Sequence, residues 1–186
     1  MSDSIKERAH ILEDKFFAAQ EAKVLNQLRA ELRHNDDLNA LAAIAHITDR
    51  DALEELDSIG VNPSTFVAVK LIPMVAVAWA DDDLEDEEIH AIQSAASAQG
   101  ISNKSAAGQL LHQWLRDPLS SVVIDAWSLF ISAYCQRLDA TQVAELEKET
   151  IDSAILIAES AGGILGLGSV SRLETNMIQR LRNAFR

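Results

Sequence analysis

The segment "STFVAVKLIPMVAVAWA", residues 64–80, is apolar on every turn except at Lys70. A surface helix needs a polar face, so a helix of this composition has to lie inside a bundle with other helices around it. That requirement sets the plan of the chain: neighbours on all sides, each offering one apolar stripe. Asn62 followed by Pro63 supplies the start, with proline in the first turn, where a missing N–H costs least. Pro73, further in, predicts a kink. The longest apolar run, "LIPMVAVAWA", is ten residues, too short to span a bilayer.

The other segments supply the neighbours. "IKERAHILEDKFFAAQEAKVLNQLRAEL" places Ile11, Leu12, Phe16, Phe17, Val24, Leu25, Leu28 and Leu32 at helical spacing. That pattern predicts a long amphipathic helix to about Leu32 that packs one stripe. Asn35 or Asp36 predicts the cap of a second helix, and Thr48 with Asp51 opens a short third, which Gly60 ends. Another helix covers about Asp86 to Gln99, with Gly100 as its stop, and Ser102 caps the next. "LSSVVIDAWSLFISAYCQRL" is a second strongly apolar helix. Asp139 with Gln142, and Ser171 with Glu174, read as capping boxes that open the last two. No period-two alternation marks a strand. The expected fold is all-α: a single-domain bundle of about eight or nine helices, with residues 1–35 as an N-terminal amphipathic helix and 36–186 as the helical domain.

A net charge of −13 argues against nucleic acid, whose phosphates require clustered Lys and Arg, and equally against insertion at an anionic membrane surface. The charge favours cations, or protein partners with a basic face. A second copy of the chain, paired through the first helix, is a further partner to consider. The single cysteine, Cys135, excludes an intramolecular disulfide and sits in the apolar "LFISAYC", where a buried inert thiol is expected. The start "MSDSIKERAH" lacks the apolar region of a signal peptide, so a cytoplasmic protein is the expectation.

Negative charge concentrates at one place. "DDDLEDEE", residues 81–88, holds seven acids in eight positions, straight after the apolar segment. Glu85 as N-cap, with Asp86, Glu87 and Glu88 in the first turn, puts four of them on the positive end of a helix. Asp81, Asp82 and Asp83 fall at the C-terminal end of the preceding helix, where the dipole disfavours them. Carboxylates about 4 Å apart repel by roughly 1 kcal/mol even in bulk water. A hard cation would relieve that repulsion, because Ca²⁺ takes oxygens from such turns. The spacing is not that of an EF-hand loop: counting from Asp81, position six is Asp86 rather than Gly, and position twelve is Ile92 rather than Glu. Solvated capping acids and a cation or basic-partner site both stay open on these residues.

The same plan recurs once. "VAWADDDLEDEEIHAIQ" and "IAESAGGILGLGSVSRLETNMIQ" each run from a helix end through a turn to a cap, a Glu at N3 and a new helix. Glu88 and Glu174 occupy equivalent places in this faint internal repeat.

"AWADDDLEDEEIHAIQSAASAQGI" resembles the tellurite-resistance TerB-like domains through Ala80, Asp81, Leu84, Glu88, Ile89 and Gly100. Asp82 stands where that family has glycine. The second turn resembles the family's second one at Ala161, Gly162 and Glu174, without its Asp. The resemblance extends over roughly residues 36–186. It implies an all-helical domain, acid turns proposed to bind metal ions, and association with stress-response or membrane-linked complexes; it does not imply catalysis. The candidate metal-binding residues are therefore Asp81, Asp82, Asp83, Glu85, Glu88 and Glu174, with Ca²⁺ or another divalent cation as the ligand.

Other constellations are weaker. Glu31 with His34, and Glu87 with His90, have the Glu-x-x-His spacing of di-iron bundles, which also need two further inward Glu side chains. "GGILGLGSV" follows a helix rather than a strand and has no Lys after its glycines, so it reads as a helix terminator, not a phosphate loop. No nucleophile has a His-Asp setting that the sequence can display. The expectation is a protein that is not an enzyme, with a purely structural interaction module and a ferritin-like di-iron enzyme as the alternatives.

Overall fold

The computed structural model of the chain describes residues 2–161 and 170–186, with side chains described over 23–160 and 170–186. Eight α-helices and one 3-10 helix make up the regular structure of these residues, and no strand occurs among them. In order they are α1 (Ser2–Ala45), α2 (Arg50–Ser58), the 3-10 helix Phe66–Leu71, α3 (Ile72–Ala78), α4 (Asp86–Ala98), α5 (Ala106–Arg116), α6 (Ser121–Cys135), α7 (Ala140–Ala161) and α8 (Arg172–Asn183). The all-α expectation holds. By contacts the chain divides into two compact units, residues 1–39 and 40–186.

The first unit consists of most of α1. The break expected near Asn35 is absent, and the helix runs on to Ala45. Residues 2–45 contain neither Gly nor Pro, and Asn35, Asp36 and Asp37 weaken a helix without stopping it. Val24, Leu25, Leu28 and Leu32, expected to pack a stripe, are 45–60% exposed.

The second unit is built around α3. Every residue from Ile72 to Ala78 is buried, which is the environment the apolar segment demanded. α3 packs against α6, α7 and α8, while α2 lies on α6 and α4 on α7. The segment is not one kinked helix, however. Asn62 Oδ1 accepts from the Ser64 N–H (2.9 Å) and Thr65 Oγ1 accepts from the Asn62 N–H (2.8 Å), so residues 62–65 form a turn. A 3-10 helix follows, and Pro73 sits in the first turn of α3. Proline cannot donate to the carbonyl one turn back, so a new helix begins where a continuous one would have kinked.

Local signals set most of the remaining ends. Asp49, one residue after the expected Thr48, caps α2 by accepting from the Ala52 N–H at 3.0 Å. Ser105 rather than Ser102 caps α5, accepting from Gly108 N–H at 3.1 Å. Gly108 has to be glycine, since a Cβ there would lie 2.1 Å from the Ser102 carbonyl oxygen. Gly100, at φ +76°, closes α4 as expected. Asp139 and Gln142 form their capping pair, with Asp139 N–H donating to Gln142 Oε1 at 3.0 Å.

Candidate functional site

The acid turn is the link between α3 and α4. Its near end is fixed from inside: the Trp79 indole N–H donates to the Trp114 carbonyl at 2.9 Å, tying the end of α3 to the end of α5. The chain then folds back tightly. Ala80 N–H donates to the Val77 carbonyl (3.0 Å) and Asp82 N–H to the Trp79 carbonyl (3.2 Å). Asp82 adopts φ +64°, the left-handed conformation that usually selects glycine. Asp tolerates that region better than most side chains, through local hydrogen bonding of its short carboxylate. Asp81 Oδ1 accepts from the Asp83 N–H at 3.2 Å, which closes the turn.

α4 then starts at a capping box of Glu85 and Glu88, in which the Glu85 N–H donates to Glu88 Oε2 at 3.1 Å. α8 starts in the same way. Ser171 N–H donates to Glu174 Oε2, and Ser171 Oγ accepts from the Glu174 N–H at 3.1 Å. A glutamate at N3 must bend back over the helix end to make this bond, which draws its carboxylate against the protein.

The two carboxylates come to rest in the same interior region. Glu88 is 3% and Glu174 8% exposed, and they are the only charged side chains buried among the described residues. Burial pushes the Glu88 carboxyl up to about 7, although the Glu85 N–H acts in the opposite direction. The charges of Glu174, then Asp81, then Glu85 push it the same way as burial. A carboxyl in this state is about half protonated at neutral pH. No fully buried side-chain oxygen or nitrogen lacks a partner among the described residues. Oε2 of each glutamate accepts the N–H of its own N-cap residue.

The six candidate residues thus separate. Glu88 and Glu174 are buried and coupled, with Asp81 and Glu85 within electrostatic reach of Glu88, whereas Asp81, Asp82, Asp83 and Glu85 are all exposed. No group of three or more Asp, Glu, His or Cys is drawn together tightly enough to hold a metal ion among the described residues. The donor set is all carboxylate, which suits a hard cation. Two carboxylates suit one that keeps most of its own water, as Mg²⁺ commonly does, better than one needing six to eight protein oxygens.

The Glu-x-x-His pairs give no inward set: Glu31, His34, Glu87 and His90 are all exposed. Cys135 is half-buried, and burial followed by the Glu147 charge pushes its thiol up, away from the reactive thiolate. The "GGILGLGSV" turn, with Gly162, lies almost wholly outside the described residues. What the sequence left undecided was which acids meet. The signal was present in the repeat, since an N3 glutamate in each of two capping boxes pairs Glu88 with Glu174. Comparison of the chain with protein-family models, with curated proteins and with solved structures gives no match, so the reading of the site rests on its own geometry.

Proposed function

We propose that the chain is a non-enzymatic, TerB-like helical module that binds a hydrated divalent cation through Glu88 and Glu174, with Asp81 as the next donor, and serves as an interaction or stress-response module. The observation that carries this reading is the meeting of two buried N3 glutamates from separate capping boxes. Two like charges in one poorly solvated place are unfavourable unless a proton or a cation joins them. The left-handed Asp82 supports the same reading, because it gives this chain a tight turn where the resembled family has glycine. The exposed Asp82, Asp83, Asp86 and Glu87 leave an acidic surface on that turn for a partner with a basic face.

The rival reading is a structural pair that shares a proton and binds nothing. Thermal unfolding at pH 8, with and without millimolar Mg²⁺ or Ca²⁺, separates the two. A cation site predicts a rise in Tm of several degrees for the wild type and none for Glu88→Gln/Glu174→Gln, since a ligand stabilises only the form that binds it. Glutamine keeps the cap acceptor while removing the charge, so the variant folds. An unchanged wild-type Tm with both ions leaves the proton-sharing pair as the answer.

A further inference from the structure

The second unit also contains a cavity of about 490 Å³ that shares no residue with the acid turn. Its volume lies in the ~300–1,000 Å³ range of small-molecule sites. Met74, Trp127, Phe130 and Ile131, all buried, provide an apolar floor, and Phe66 meets Phe130 edge to face at 5.7 Å. Phe66, Trp127, Phe130 and Tyr134 are four of the nine aromatic residues in the chain, and all line this one cavity. Ile44 and Val67, which also line it, are 45% and 39% exposed, so the apolar surface continues to the mouth.

His46 lines the cavity just after α1, and two side chains bring formal charges to it, Lys70 from the 3-10 helix and Glu149 from α7. Lys70 and Glu149 are exposed, and neither has an ion-pair partner, each other included, among the described residues. Lys70 is the only Lys or Arg between Arg50 and Lys104. It is also the one polar interruption of the segment that forms the core. A purely anionic ligand would meet Glu149 and the negative field of the chain, and a purely cationic one would meet Lys70. A neutral chain would cover the floor and leave both charges unanswered.

We propose that this cavity binds a zwitterionic amphiphile, its apolar chain on the Trp127–Phe130 floor, its anionic group toward Lys70 and its cationic group toward Glu149. Apolar burial supplies most of the affinity, and the unbridged charges select the head group.

Isothermal titration with dodecylphosphocholine, kept below its micelle-forming concentration, tests this on the intact chain. Saturable one-to-one binding is expected, with dodecyl sulfate, dodecyltrimethylammonium and dodecanol each about two- to fivefold weaker, the scale of an exposed ion pair gained or lost. Lys70→Glu and Glu149→Lys should each weaken binding by about the same factor, and the double swap should recover it. Both residues are exposed, so these variants fold. Absence of saturable binding overturns the proposal. Equal binding of dodecanol, or indifference to both charge reversals, overturns it too, and leaves an apolar cleft without head-group selection.

Discussion

At the start of α4 the N-cap is Glu85 and the residue folding back over it is Glu88; at the start of α8 the same places are taken by Ser171 and Glu174. Both glutamates accept their own N-cap N–H, and both are buried. The surroundings differ. Ser171 caps with a neutral hydroxyl, whereas Glu85 adds a carboxylate beside Glu88, and Asp81 adds another. One backbone device therefore serves two electrostatic ends. In the second turn it caps a helix; in the first it holds a carboxyl whose proton is half released at neutral pH. The first turn is also fastened from within, by the bond between Trp79 and Trp114.

Breaking that fastening should have the largest effect. Trp79→Ala removes a half-buried ring and its hydrogen bond, and should cost about 3 kcal/mol in urea unfolding. With the end of α3 released, the Glu88 carboxyl should return toward the ordinary range, as followed by carboxyl NMR. A loss below about 0.5 kcal/mol, typical of a plain surface change, would mean that Trp79 does not hold the turn.

The second test uses pH. Burial pushes the folded Glu88 carboxyl up to about 7, against 4.5 for an ordinary glutamate in the unfolded chain. The folded state thus binds this proton more tightly than the unfolded state. The stabilisation is fully present below pH 4.5 and is lost as the pH rises through about 7. Wild-type stability should fall by about 1–2 kcal/mol from this group between pH 5 and pH 8, with solvent screening taken into account. Glu88→Gln should flatten that slope and be the more stable protein at pH 8. Glu174→Gln should lower the Glu88 titration midpoint without flattening the curve. A wild type and a Glu88→Gln variant with parallel pH profiles would show that the two turns are electrostatically alike.

Much of this arrangement was legible before any coordinates. Capping boxes are local, set by residues three apart, and those at Glu85, Asp139 and Ser171 all form as the sequence predicts. The all-round apolar segment gave the central helix for the same reason: burial on every side leaves no polar face to write. The misplaced features depend on neighbours. Asn35 and Asp36 have the chemistry of a cap, yet no Gly or Pro between residues 2 and 45 stops the helix, which continues through them. In the acid cluster the visible signal was the sheer number of carboxylates, of which only Glu88 is buried. Its partner lies 86 positions away at Glu174, and only the packing of α3 against α7 and α8 brings them together.

A smaller effect belongs to the backbone of the first turn. Asp82 holds φ +64° with a side chain where glycine would be unstrained. Asp82→Gly should stabilise the protein by about 0.5–1 kcal/mol, since the relief of left-handed strain exceeds the added freedom of the unfolded chain. Asp82→Val should destabilise it by more than about 1 kcal/mol, because a β-branched residue fits this region worst. Equal stability of the two variants would mean that residue 82 is not left-handed in solution.

The smallest change is the one that makes the two turns the same. Glu85 caps α4 with a carboxylate in its capping box, where Ser171 caps α8 with a neutral hydroxyl that accepts from the Glu174 N–H. Glu85→Ser should therefore keep a cap oxygen on α4 and take one negative charge from beside Glu88, a gain of up to about 1 kcal/mol at neutral pH. The charge effect shows in a titration, because it exists only where Glu88 is ionised. The stabilisation should be larger at pH 8 than at pH 5, with the Glu88 midpoint shifted down. If the gain is the same at both pH values, Glu85 acts on this turn only as a cap, and the raised Glu88 carboxyl comes from burial, Glu174 and Asp81.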